Sequence, residues 1–267
     1  MIPNVLSIAG SDPSGGAGIQ ADLKAISANR AFAMAALTAL TAQNTQGVSG
    51  VELVPAAFVA SQITAVLEDI RVDAIKIGMI ATSGIASAVA DALPANVPVV
   101  LDPVMIAKGG ASLLAEDAID TLRTRLLPLA AIVTPNLPEA AHLLGRPVAT
   151  NRDAMAEHAQ AMLAFGPKAV LVKGGHLAGD DSPDVLCTGE TLHWLDTPRT
   201  ATKNTHGTGC TLSAALAAHL AHGAPLPDAV QAAKTYTSGA IADADRLSVG
   251  QGHGPVHHFS TLWKGTK

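Results

Sequence analysis

The sequence predicts an α/β fold: a mostly parallel central sheet with helices on both faces and a short hairpin at one edge. Three observations carry this. Short apolar runs alternate with longer helical patterns along the whole chain, the order that builds strand–helix–strand units. Polar residues gather where the apolar runs stop, at Asp12, Gln43, Asp102, Asn136 and Lys173. One segment, residues 184–196, breaks the alternation: Val185, Leu186 and Cys187, then Thr188-Gly189-Glu190, then Thr191 onward read as two strands around a tight turn. No linker or internal repeat is visible, so residues 1–267 read as a single domain.

Composition bounds what the domain does. The chain is 48% hydrophobic and 15% charged, enough apolar content for a sizeable core and far from a disordered composition. Aromatic residues are only 3%, so the core must be built from Ala, Leu, Val and Ile. A net charge of −5, with no long basic run, argues against a nucleic-acid partner. No apolar stretch approaches the ~20 residues that span a bilayer. Two cysteines, Cys187 and Cys210, fit neither a zinc site nor a disulfide framework, and a reducing cytoplasm is the expected setting.

In chain order, residues 5–9 read as a buried strand that stops at Gly10. A loop rich in Gly, Ser and Asp follows to Gly18, then a helix over 19–29 with Ile19, Leu23 and Ile26 on one face. The loop has neither the G-x-G-x-x-G spacing nor a closing Gly-Lys-Ser/Thr, so it is not a dinucleotide or Walker loop. Residues 34–45 read as one strand ending in Thr41, Gln43, Asn44 and Thr45, and 54–66 as a helix with Pro55 in its first turn. Further strands are expected at 74–77, 97–101, 131–134 and 169–172, and further helices at 84–93, 116–127, 138–144, 152–165, 212–222 and 228–243. The Gly- and His-rich segment 250–258 reads as a surface tail rather than a metal site.

The stretch Asn204-Thr205-His206-Gly207-Thr208-Gly209-Cys210-Thr211 stands out. Its glycines let the backbone turn sharply with N–H groups uncovered, and the helix after it adds unpaired N–H groups and the positive end of its dipole. Together they form an anion hole suited to a phosphoryl group. Cys210 falls in the first turn, where a lowered thiol pKa is expected. Asn136 and Glu139 are spaced as a capping box or, alternatively, as contributors to a magnesium site.

Six pieces of the chain carry a resemblance: residues 9–22, Thr41-Ala42-Gln43-Asn44-Thr45, Lys76-Ile77-Gly78-Met79, residues 134–140, Lys173-Gly174-Gly175-His176 and residues 204–211. They resemble the hydroxymethylpyrimidine and phosphomethylpyrimidine kinases of thiamine biosynthesis, in the ribokinase-like superfamily. That resemblance implies a three-layer sandwich, ATP and Mg2+ as cofactors, and two successive phosphorylations of 4-amino-5-hydroxymethyl-2-methylpyrimidine. It implies that Gly10, Asp22, Gln43, Met79 and Val104 surround the pyrimidine. Asp102, Asn136, Lys173 and Thr208 would serve the nucleotide, and Asp102 and Glu139 the metal. The backbone of Gly207, Thr208 and Gly209 would hold the phosphoryl in transit, with Cys210 as base. It also implies a homodimer. A pyridoxal kinase, or a pyrimidine-binding sensor without catalysis, is the alternative.

Overall fold

The computed structural model describes residues 1–105 and 115–263. Its strands are β1 (Asn4–Ala9), β2 (Phe32–Leu37), β3 (Ala39–Asn44), β4 (Gly47–Leu53), β5 (Ala74–Ile77), β6 (Val99–Leu101), β7 (Ile132–Val133), β8 (Val170–Lys173), β9 (Asp184–Thr188) and β10 (Thr191–Leu195). Its α-helices are α1 (Gly18–Ala28), α2 (Ala56–Asp69), α3 (Ser83–Ala92), α4 (Glu116–Thr121), α5 (Leu137–Leu144), α6 (Arg152–Met162), α7 (Thr208–Ala221) and α8 (Leu226–Ala242). One sheet runs in the order β10-β9-β8-β7-β6-β5-β1-β2. It is parallel from β2 to β8, and β9 and β10 form the expected antiparallel hairpin at its edge.

The strand side chains alternate between two cores, as the pleat demands. Leu6, Ile8, Ile75, Ile77, Val99, Leu101, Val133 and Val172 pack toward α2 through α6. Val5, Ala74, Val100, Ile132, Leu171 and Leu186 pack toward α1, α7 and α8. Both faces are covered, so the central strands read as unbroken apolar runs with no polar side to reveal their period. Helix ends are set locally: Thr82 and Asn151 cap α3 and α6 through their side chains, and α5 closes at Gly145 in the left-handed conformation.

Three expectations need correction. Residues 34–45 are not one strand: the chain bends at Thr38, whose N–H donates to the Ala9 carbonyl and whose hydroxyl donates to that of Met79, and β3 leaves the sheet. It pairs with β4, so a second antiparallel hairpin forms a separate two-stranded flap, with a bulge between Ala42 and Gln43. β4 carries two glycines and little alternation, which hid it. The helix expected over 116–127 is α only to Thr121 and then widens into a π turn over Leu122–Leu126. The segment after Gly250 is not a surface tail: Gly254 through His258 are buried, Tyr236 donates to the His258 carbonyl, and Gly254 accepts from the His206 N–H.

The direction of strand addition reverses between β1 and β5, and the crevice outside their C-terminal ends is where open α/β sheets take ligands. Beneath that crevice sits the largest fully buried side chain, Lys76 on β5. Its ammonium lies 2.9 and 2.8 Å from the two carboxylate oxygens of Asp22, which also accepts from the Ser7 hydroxyl at 2.6 Å. Burial raises Asp22 above the usual carboxylate range and pulls on Lys76 in the opposite sense, but the adjacent carboxylate outweighs it and holds the ammonium above its ordinary value. Removing one member of such a pair strands the other charge. Asp22→Ala should therefore cost about 3–5 kcal/mol of stability, read from urea unfolding, while the double change Asp22→Leu with Lys76→Met should recover most of it.

Candidate active site

A cleft of about 1100 Å3 opens along the C-terminal edge of the sheet. Its walls are the loops after β1, β5, β6, β7 and β8, the flap, and the start of α7. At one end, Gly10, Thr41, Gln43, Met79 and Val104 line it. On β3 the residues alternate, with Thr41 and Gln43 half-buried and Leu40, Ala42 and Asn44 exposed. Gln43 thus reaches the cleft from within the flap, not from the end of a sheet strand. Gly10 leaves room for Met79: a Cβ there would lie 2.7 Å from the Met79 methyl. Asp22 does not line the cleft. It is wholly buried under its floor with Lys76, which corrects its expected place against a ring.

The anion hole forms where two glycine loops meet. Gly207 adopts φ 76° as the N-cap of α7, and any Cβ on it would strike the Gly16 carbonyl. A glycine cap supplies no side chain to the first N–H groups of the helix; that of Thr208 lies 3.4 Å from the Thr205 carbonyl, and Gly207, Thr208, Gly209 and Cys210 line the cleft. The helix begins at Thr208, a turn earlier than the apolar pattern indicated. His206, just before it, contacts Asp12 at 2.8 Å and Gln43 at 3.4 Å. Asp12 also accepts from the Ser14 N–H and hydroxyl and from the Ala17 N–H. Burial alone would raise Asp12, but these donors, His206 foremost, hold it below the usual carboxylate value.

Beneath Gly209 lies a second ion pair. A Cβ on Gly209 would sit 3.2 Å from Lys173 Nζ and 3.3 Å from Asp102 Oδ2. Lys173 donates to Asp102 Oδ1 at 2.8 Å, and Asp102 receives longer bonds from Thr134 and Ser213. Asn136 and Glu139 form a complete capping box on α5, each side chain bonded to the other's backbone N–H. Glu139 nevertheless faces the cleft, and burial pushes its carboxyl up to about 7, against Lys173 and together with Asp102. Among the described residues no cluster of three His, Cys, Asp or Glu is poised to hold a metal.

Cys210 departs from expectation. Burial raises its thiol to about 11; Lys76 and a backbone bond from Gly18 lower it, and Asp22 and Asp102 add to the rise. The helix start therefore does not leave a standing thiolate, because the thiol is buried and, secondarily, sits over two carboxylates.

A family model described as phosphomethylpyrimidine kinase matches residues 12–257. The chain belongs to that family. It is 53% identical over 260 residues to a hydroxymethylpyrimidine/phosphomethylpyrimidine kinase from Rhizobium meliloti, covering 97% of this chain and 98% of the relative. The crystal structure of phosphomethylpyrimidine kinase from Clostridium difficile is similar with TM-score 0.78 and 42% identity, over 90% of this chain and 99% of that one. The structure of pyridoxal kinase from Staphylococcus aureus in complex with AMP-PCP is similar with TM-score 0.90 and 34% identity, over 99% and 96%. The family is one of phosphotransferases, so the open start of α7 lies in a kinase.

Several cleft residues escaped the sequence reading. His206 stood within the glycine stretch without a role of its own. Arg199 donates to the carbonyls of Gly175, Leu177, Gly179 and Asp181 and so stitches the loop after β8. Lys234 on α8 donates to Asp184 at 2.7 Å and to the Ser182 carbonyl, while Asp184 accepts from the Gly174 N–H. Each joins segments far apart in sequence, and only an unusual buried charge in an apolar helix, as at Lys234, could have flagged one of them.

Only the thiolate alkylates readily. With the thiol near 11, iodoacetamide modification of Cys210 should accelerate roughly tenfold per pH unit from about pH 7 to about pH 10 without a plateau. Cys210→Ser supplies the background from Cys187. A plateau above roughly pH 8 would mean a thiol lowered by the helix dipole instead.

Proposed function

We propose that the chain transfers the γ-phosphoryl group of ATP to 4-amino-5-hydroxymethyl-2-methylpyrimidine and then to the resulting monophosphate. The observation that carries this reading is the single cleft that joins a half-apolar ring site, at Gln43, Met79 and Val104, to the open N-terminus of α7. A flat ring with one polar edge suits the first; a phosphoryl group suits the second. ATP use is supported by family membership and by the AMP-PCP complex of the pyridoxal kinase relative.

In this reading the backbone of Gly207, Thr208 and Gly209 receives the charge that spreads over the transferring phosphoryl oxygens. Lys173 neutralises the phosphates from below, and its partner Asp102 keeps it charged in the buried floor. Cys210, a protonated thiol in the free site, first releases its own proton to solvent and as the thiolate then takes the proton of the attacking alcohol. Asp102 and Glu139 would hold a Mg2+ ion of the usual kinase kind: both are buried carboxylates at the cleft, and Mg2+ is ordinarily held by one or two carboxylates plus phosphate and water. When bound, the ion supplies charge neutralisation between the phosphates. Asn136 orients Glu139 through the capping box. We further propose that the described residues act as one catalytic unit in the cytoplasm.

Likeness to pyridoxal kinases supports a second substrate class, and one set of assays separates them. The pyrimidine alcohol should exceed pyridoxine in kcat/KM; a roughly tenfold preference for pyridoxine would reverse the assignment. In the same assays, Cys210→Ala should reduce alcohol phosphorylation by ~10²–10⁴-fold. It should reduce monophosphate phosphorylation far less, because a phosphate monoester is already anionic near neutral pH, with a second pKa of about 6. Equal losses would make Cys210 a shaper of the shared site rather than a base.

A C2 homodimer is part of the proposal. A two-stranded hairpin is marginal alone, yet the flap exposes Leu40, Val51 and Leu53, and Phe58 is exposed just after it on α2. Light scattering should give a dimer for the native chain, and Val51→Glu with Leu53→Glu should shift it to monomer.

A further inference from the structure

We infer that His206 is a positioning residue that fixes the Gln43 amide in one orientation, and thereby sets which way round the substrate ring binds. The inference rests on the reading above, in which Gln43 meets the ring edge.

The argument is one of donors and acceptors. Asp12 receives four donors: the Ser14 N–H and hydroxyl on Oδ1, and the Ala17 N–H and His206 Nε2 on Oδ2, the latter at 2.8 Å. A carboxylate so surrounded can only accept, so His206 Nε2 must carry a hydrogen, whatever the charge of the ring. The same Nε2 lies 3.4 Å from the end of the Gln43 amide that is placed as nitrogen, Nε2. Nitrogen at that end would set two donors against each other; oxygen there would accept from the shared Nε2–H. The other end of the amide gives the same answer. It is placed as oxygen, Oε1, 3.2 Å from Thr41 Oγ1, but that hydroxyl has a single hydrogen, already committed to the Ser11 carbonyl at 2.9 Å. Thr41 Oγ1 can therefore only accept from the amide, which again puts the nitrogen on its side. The two ends of an amide are nearly indistinguishable by shape, and the network decides between them.

Gln43 thus shows the cleft its acceptor on the His206 side and its donor on the Thr41 side. An aminopyrimidine edge is complementary to this in one sense only, with the exocyclic amine toward His206 and the ring nitrogen toward Thr41. The hydroxymethyl arm is on the carbon next to the amine-bearing carbon. His206 is the residue before Gly207, so the matched ring carries its hydroxymethyl arm toward the anion hole. A ring turned over would carry it away.

The test uses the 4-oxo analogue of the pyrimidine alcohol, whose edge has donor and acceptor exchanged, and compares its kcat/KM with that of the amino substrate. The native protein should favour the amino substrate by roughly a hundredfold or more. His206→Met, which lacks the donor, and Thr41→Val, which lacks the acceptor, should each narrow that ratio by roughly tenfold. His206→Gln, whose amide nitrogen can restore the donor, should keep it within about threefold. A ratio is insensitive to a general loss of activity, and Thr41→Val carries the test even where His206→Met fails to fold. Unchanged ratios in both His206→Met and Thr41→Val, with Gln43→Ala still erasing discrimination, would overturn the role of His206. So would equal narrowing in His206→Gln and His206→Met. An unchanged ratio in Gln43→Ala would instead remove Gln43 from ring recognition, and the inference with it.

Discussion

The site depends on a backbone-to-backbone contact between two loops that are distant in sequence. Gly207 sits so close to the carbonyl of Gly16 that no side chain fits between them. This contact lets α7 start at the C-terminal edge of the sheet, with its first residues lining the cleft. It also delivers the flanking residues: His206 reaches Asp12 in the first loop, and Cys210 comes to lie over Lys76 and Asp22. The buried C-terminal segment braces the contact from behind, through the bonds of His206 to Gly254 and of Thr211 to His258.

A helix start brought so close to the ends of parallel strands concentrates charge in a dry place, and the protein answers with pairs. Lys76 with Asp22, Lys173 with Asp102, Lys234 with Asp184 and His206 with Asp12 all lie largely out of water. Buried pairs of this kind add little net stability over apolar side chains of the same size. Their contribution is geometric and electrostatic: in the proposed reading they are a floor of fixed charges that need not reorganise during phosphoryl transfer. They also account for Cys210. Burial, with Asp22 and Asp102 adding to it, outweighs Lys76 and the bond from Gly18, so the thiol is held protonated in the free site.

The flap belongs to the same design. It leaves the sheet at Thr38, held by bonds to Ala9 and Met79, and brings Thr41 and Gln43 over the ring end of the cleft. The flap and the start of α7 are different elements, and His206 touches both Gln43 and Asp12.

Much of this was legible in the chain. Outside the flap, the alternation of strands and helices and the edge hairpin follow from local patterns of apolar runs bounded by glycine, and the kinase family was legible through the resemblance of motifs spread from Gly10 to His258. Such signals survive in sequence because each is set by residues within a turn or two of one another. The Asn136–Glu139 spacing announced its capping box for the same reason. What only the tertiary structure decided was everything settled by distant partners: the break at Thr38, the burial of Asp22 beneath the cleft, the high pKa of Cys210, the docking of the last segment, and the bond of His206 to Asp12. Pairing, desolvation and charge coupling act across space, and no local pattern records which residues will face one another once the chain has closed.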